Sequence, residues 1–112
     1  LIEPANETQN SLLVEMAKTS QQMIHDCVDA FLSLDVDKAK AVWHKDDDID
    51  TMYSKLVALV QQEMKDQTSE IMDGTGLIFM GRCCERIGDH ITNMAEDICY
   101  IVTGKSYCGS LE

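Results

Sequence analysis

Apolar residues recur along the chain in three long stripes at steps of three and four, the spacing of one face of an α-helix. The first stripe runs through Leu13, Met16/Ala17, Ser20, Met23/Ile24, Cys27, Phe31 and Leu34 and predicts a helix over 8–34. The second runs through Ala39, Val42/Trp43, Ile49, Tyr53, Leu56, Val60 and Met64 and predicts a helix over 36–66. Asp35 precedes it as an N-cap, a residue whose side-chain oxygen takes one of the free N–H groups of the first turn. The third passes through Ile71, Ile78, Cys84, Ile91, Ala95, Ile98 and Val102 and predicts a helix over 69–103. Thr68 is placed to cap that helix and Gly104 to close it as the C′ residue, which leaves 105–112 as a tail. No strand-like alternation, internal repeat or low-complexity segment intervenes.

Each helix is well over twice the ~11 residues of an average one, and the connections are only a few residues long. Short connections force antiparallel neighbours. The expected fold is therefore all-α, an antiparallel up-down-up three-helix bundle, and 112 residues suffice for one such domain over 1–112 but not for two.

Charge interrupts two of the stripes. The second passes through Asp46 and Asp50 between Trp43 and Tyr53, where a bundle would ordinarily carry Leu or Ile. The third carries Glu85 between Ile78 and Ala95, with Asp89 one turn later. Both pairs have i, i+4 spacing, so each shares a helix face. With the turn centred near Gln67, Asp50 and Glu85 stand about 17 and 18 residues from it, and Asp46 and Asp89 about 21 and 22, so at 1.5 Å rise per residue the pairs come to one height. Four carboxylates gathered there raise one another's pKa by repulsion and desolvation. A cation relieves that conflict, and hard oxygen ligands suit Mg, Mn, Ca or Fe ions. Asp46, Asp50, Glu85 and Asp89 are accordingly the expected metal ligands. The alternative is a solvated helix face, since 20 acidic residues in 112 produce such pairs by chance. Asp47 and Asp48 are assigned to that face. Gly81 and Gly88, inside the third helix, each cost about 1 kcal/mol relative to Ala. They allow either a close helix approach or room for a metal-bound water.

The formal net charge of −11 opposes binding to nucleic acid or to an anionic membrane surface and favours cations or basic protein partners. No apolar run approaches the ~20 residues of a membrane span. Cys27, Cys83, Cys84, Cys99 and Cys108 are an odd number without CxxC spacing, and they are expected to be reduced, mostly core residues of a cytoplasmic protein. His25, His44 and His90 make no Glu-x-x-His motif with the acidic pairs, as a di-iron oxidase would require. No nucleophile–base pair and no Gly-rich phosphate loop is present, so no catalytic residue is expected and the chain is not expected to be an enzyme.

The stretch GRCCERIGDHITNMAEDI in the third helix resembles the Glu-Arg-Ile-Gly-Asp segment of the PhoU family, and HKDDDIDTMY in the second resembles the companion Asp-x-x-x-Asp stretch. CVDAFLSLDVDKAKAVW is similar to the segment that joins the family's first two helices. The resemblance covers most of residues 10–105 and is greatest to the second of the family's two bundle repeats. It implies that Asp46 and Asp50 form one acidic motif and Glu85 and Asp89 the other, that metal ions or clusters bind there, and that Arg82, Asn93 and Glu96 occupy recurring positions nearby. It further implies a negative regulator of phosphate uptake and of phosphate-starvation signalling, acting through the phosphate transporter ATPase subunit (PstB) and the sensor kinase (PhoR), with a homodimer or tandem-repeat partner. Competing readings are the cytosolic tail of a sodium/phosphate transporter, a carboxylate-bridged metal hydrolase or oxidase, and a purely structural helical scaffold.

Overall fold

A computed structural model of the chain describes residues 7–66 and 71–104. It contains three α-helices, α1 (Glu7–Ser33), α2 (Val36–Asp66) and α3 (Ile71–Thr103). Each touches the other two, so the all-α three-helix bundle expected from the stripes is what the chain forms. The bundle is elongated, about 52 × 21 × 16 Å. Across α2 and α3 the pairs Asp46 with Gly88 and Tyr53 with Gly81 lie against each other, so numbers fall on one helix as they rise on the other. α2 is thus antiparallel to α3. Only residues 34 and 35 separate α1 from α2, so α2 runs back along α1, and α1 and α3 are parallel.

The α1–α2 connection follows from local hydrogen bonding. Leu34 takes the left-handed conformation at φ 52°. Its N–H donates to the Phe31 carbonyl at 3.3 Å, and the Asp35 N–H reaches back to the Ala30 carbonyl at 2.9 Å. These two bonds satisfy carbonyls that the end of α1 would leave free, the pattern of a Schellman motif. Asp35 then caps α2 as expected: its Oδ1 accepts from the Lys38 N–H at 3.1 Å and its carbonyl from the Ala39 N–H at 3.0 Å. Gly104 closes α3 at φ 78°, where a residue without Cβ meets no steric cost. The Thr68 cap, the turn around Gln67 and the 105–112 tail lie outside the described residues.

Met16, Met23, Cys27, Ile49, Leu56, Val60, Leu77 and Cys99 form the fully buried centre. Large apolar side chains of this kind contribute roughly 1.5–3 kcal/mol each on burial. The stripes locate this core with instructive exceptions. Phe31 and Leu34, expected inside, are 54% and 53% exposed, and Val102 is 43% exposed. Leu77 and Cys99, absent from the third stripe, are buried. α3 packs against both other helices, so its buried arc is wider than a stripe of one residue per turn.

Candidate metal centre

Asp46, Asp50, Glu85 and Asp89 lie near one another along the α2–α3 seam, but their oxygens do not gather within the 4.8 Å mutual distance of a metal-sized cluster. Positions 46 and 88, and positions 53 and 81, are each equally distant from residue 67, so the seam has the anticipated register. Asp46 and Glu85 are partly buried, whereas Asp50 and Asp89 keep solvent access. The seam therefore has two inner and two outer carboxylates rather than four equivalent ones.

The two glycines of α3 do different things. At Gly81 an added Cβ would lie 3.0 Å from both Leu56 Cδ2 and Tyr53 Cδ1, so this glycine lets the helices approach. At Gly88 the Cβ would collide with Asp46 Oδ1, so here the missing side chain makes room for a carboxylate. That oxygen is buried and has no hydrogen-bond partner.

Such an arrangement is electrostatically costly. Burial pushes the Asp46 carboxyl up to about 6, with repulsion from Asp50, Asp89 and Asp47 adding to it. Burial likewise pushes Glu85 up to about 7, reinforced by a hydrogen bond with Asp50 and by the charges of Asp50 and Asp89, while Arg82 pulls the other way. Each inner acid feels both outer ones, which establishes the four as one electrostatic group. Asp47 is exposed, as expected of a solvated face, yet its charge still reaches Asp46.

The four side chains offer oxygen donors alone, one of them buried and unpartnered, and two of the four carboxyls are driven toward neutrality by burial and by their acidic neighbours.

Neighbouring residues set the frame. Trp43 Nε1 donates to Glu96 Oε2 at 3.0 Å and links α2 to α3 beyond the acidic level. Asn93, also singled out by the resemblance, is exposed.

One cluster was not expected from sequence. His25 Nδ1 lies 3.6 Å from Asp26 Oδ1 and 3.6 Å from Asp29 Oδ2. Ligand atoms of these three residues all fall within 4.8 Å of one another, a tighter grouping than the seam carboxylates achieve. The signal was the His-Asp-x-x-Asp spacing. His25 is well exposed, and Lys38 Nζ stands 3.4 Å from Asp29 Oδ2, so a side-chain cation already serves the group.

Among the described cysteines, Cys27, Cys84 and Cys99 are buried and Cys83 partly so, all of them free. Burial raises the Cys27 and Cys84 thiols, which suppresses the reactive thiolate. Cys108 lies outside the described residues.

Fold and seam together define a three-helix-bundle module with a carboxylate-rich helix pair. The family model of the PhoU domain matches residues 13–98, a span that includes all four acids, and the chain belongs to that family. It is 34% identical over 90 residues to the phosphate-specific transport system accessory protein PhoU homolog of Clostridium acetobutylicum, covering 80% of this chain and 41% of that protein. With the Escherichia coli accessory protein PhoU it shares 30% identity over 109 residues, 95% of this chain and 45% of the relative. The Thermotoga maritima homolog 1 is 33% identical over 94 residues, 84% and 40% of the two chains. The chain thus spans less than half the length of these relatives. No solved structure matches it significantly. Among the described residues, no helix is long and apolar enough to cross a membrane.

Proposed function

We propose that this bundle is a metal-binding, non-enzymatic regulatory module of phosphate uptake and phosphate-starvation signalling. The observation that carries the metal reading is Asp46 Oδ1, buried at Gly88 without a hydrogen-bond partner among three further carboxylates. A divalent ion held by Asp46, Asp50, Glu85 and Asp89 supplies the positive charge that ties α2 to α3. Mg, Mn, Ca and Fe ions all suit the donor set. The regulatory reading is supported by membership of the PhoU domain family and by relatives named as accessory proteins of phosphate-specific transport. By that kinship the partners are the transporter ATPase subunit and the sensor kinase, engaged through protein contacts in the cytoplasm.

The test is direct metal binding. Isothermal titration of chelator-treated protein with Mn²⁺ and Mg²⁺ is expected to give saturable binding that Asp50→Ala/Glu85→Ala removes. Equal binding by the wild type and the double variant would refute the site.

A further inference from the structure

The His25, Asp26 and Asp29 group lies on the α1–α2 side of the bundle, not on the α2–α3 seam. His25 and Asp29 stand one turn apart on a single face of α1, with Asp26 beside them at the next position. From His25 Nδ1 it is 3.6 Å to Asp26 Oδ1 and 3.6 Å to Asp29 Oδ2. A tetrahedral ion with bonds of about 2.0–2.2 Å to nitrogen and oxygen holds its ligand atoms about 3.4 Å apart. The imidazole thus already stands at nearly that distance from each carboxylate. All three ligand atoms lie within 4.8 Å of one another, and small rotations of these accessible side chains close the remainder.

The carboxylates are held in place by residues behind them. Gln22 Nε2 donates to Asp26 Oδ1 at 2.9 Å, and Lys38 Nζ reaches across from α2 to Asp29 Oδ2 at 3.4 Å. Metal ligands are oriented by just such outer partners. The Lys38 ammonium is also a cation bound at the oxygen that His25 faces, so positive charge at this point is already part of the fold. It is a single charge on a flexible stem, and a solvent-accessible ion pair of this kind contributes little, so a divalent ion displaces it at small cost. Asp26 and Lys38 line a cavity of about 240 Å³ between α1 and α2, which has room for the displaced ammonium and for a water on the ion.

We infer that His25, Asp26 and Asp29 form a second metal site, separate from the seam, whose expected occupant is Zn²⁺. One imidazole and two carboxylates, with the last position left to water, make a zinc ligand set. Imidazole favours the later first-row ions, with Mn²⁺ at the weak end of the series, whereas Mg²⁺ keeps to oxygen and its own waters. The seam, with oxygen donors alone, has the opposite preference. The His25 side chain is 69% exposed, so an ion reaches it without any opening of the bundle. The buried thiols of Cys27, Cys84 and Cys99 do not compete for it. All three ligands belong to α1, so the site does not depend on the seam or on how α2 sits against α3.

The test is titration of the chelator-treated 112-residue chain with Zn²⁺, followed by calorimetry and by ¹H NMR of the histidine rings. Saturable binding is expected to shift the His25 ring signals, identified by their absence from His25→Ala, while those of His44 and His90 stay in place. His25→Ala should weaken this binding at least ~10-fold, and Asp26→Asn/Asp29→Asn by a similar factor. Lys38→Met should tighten it about threefold, because the competing ammonium is gone. Far-UV circular dichroism should be unchanged throughout, since the substituted side chains are all solvent-accessible. Asp50→Ala/Glu85→Ala should leave the Zn²⁺ signal of His25 intact, and His25→Ala should leave Mn²⁺ binding intact, so the two sites stand or fall separately. Zn²⁺ binding that His25→Ala does not weaken, or that moves only His44 or His90, overturns the inference. So does binding retained by Asp26→Asn/Asp29→Asn, which would reduce the site to a lone imidazole, or binding that Lys38→Met weakens.

Discussion

Replacing Asp46 by Asn is expected to stabilise the metal-free bundle at neutral pH, although it removes a charged residue from the most acid-rich part of the fold. In the folded chain Asp46 titrates at about 6 rather than the ordinary 3.8, and Glu85 at about 7 rather than 4.5. The folded state therefore binds these protons more tightly than the unfolded one. Stability from this source is fully present below the unfolded pKa values, near 4, and is lost as pH rises through 6 to 7. For Asp46 the shift of about two units is bounded at ~3 kcal/mol, and partial solvent access reduces this to roughly 1–2 kcal/mol. Asparagine has nearly the same shape, carries no charge, and can donate its amide N–H to Asp50 or Asp89.

Thermal unfolding followed at 222 nm in chelator-treated protein should show Asp46→Asn melting about 4–8 °C above wild type at pH 7.5, on the scale of several degrees per kcal/mol for a domain of this size. The advantage should shrink below pH 6 and vanish near pH 4, where wild-type Asp46 is itself protonated. Saturating Mn²⁺ should reverse the ranking. A ligand at 100 times its Kd stabilises the protein that binds it by about 2.7 kcal/mol, and the variant forfeits this. A metal-free variant that melts at or below wild type at pH 7.5 would refute the electrostatic account. A gain that persists at pH 4 would assign it to packing instead.

The limits of what sequence reveals here have identifiable physical causes. Helix positions were legible because three- and four-residue periodicity and the Asp35 cap are local signals, and both appear in the structure at the expected places. The height of the acidic pairs was legible too, since a short turn between antiparallel helices fixes their register, and Asp46 does face Gly88. Helix rotation was not. It decides that Asp46 and Glu85 turn inward while Asp50 and Asp89 stay wet, and it depends on how all three helices pack together. Periodicity likewise marks α1 as apolar around Phe31 but cannot tell that two partner helices leave that side chain half uncovered. Gly88 shows the same limit at a single residue. Its cost within a helix was readable, but that it accommodates a carboxylate required the facing helix.

Two further substitutions separate backbone from site. Leu34, an exposed non-glycine residue at φ 52°, bears the ~1–2 kcal/mol cost of the left-handed region. Leu34→Gly should raise the melting temperature by a few degrees without altering Mn²⁺ binding, and a lower melting temperature would mean that Leu34 makes contacts worth more than its strain. Gly88→Ala carries the stronger logic, because helix propensity alone would make alanine the better residue by about 1 kcal/mol. The added methyl collides with Asp46 Oδ1, so the variant must displace Asp46 or push α2 from α3. Net destabilisation of about 1–3 kcal/mol is expected, together with loss of Mn²⁺ binding. Adding Asp46→Ala removes the obstructing carboxylate, so Gly88→Ala should then become neutral or stabilising by calorimetry. A cycle in which Gly88→Ala costs the same with Asp46 present or absent would show that the glycine serves the helix approach alone and does not cradle the carboxylate.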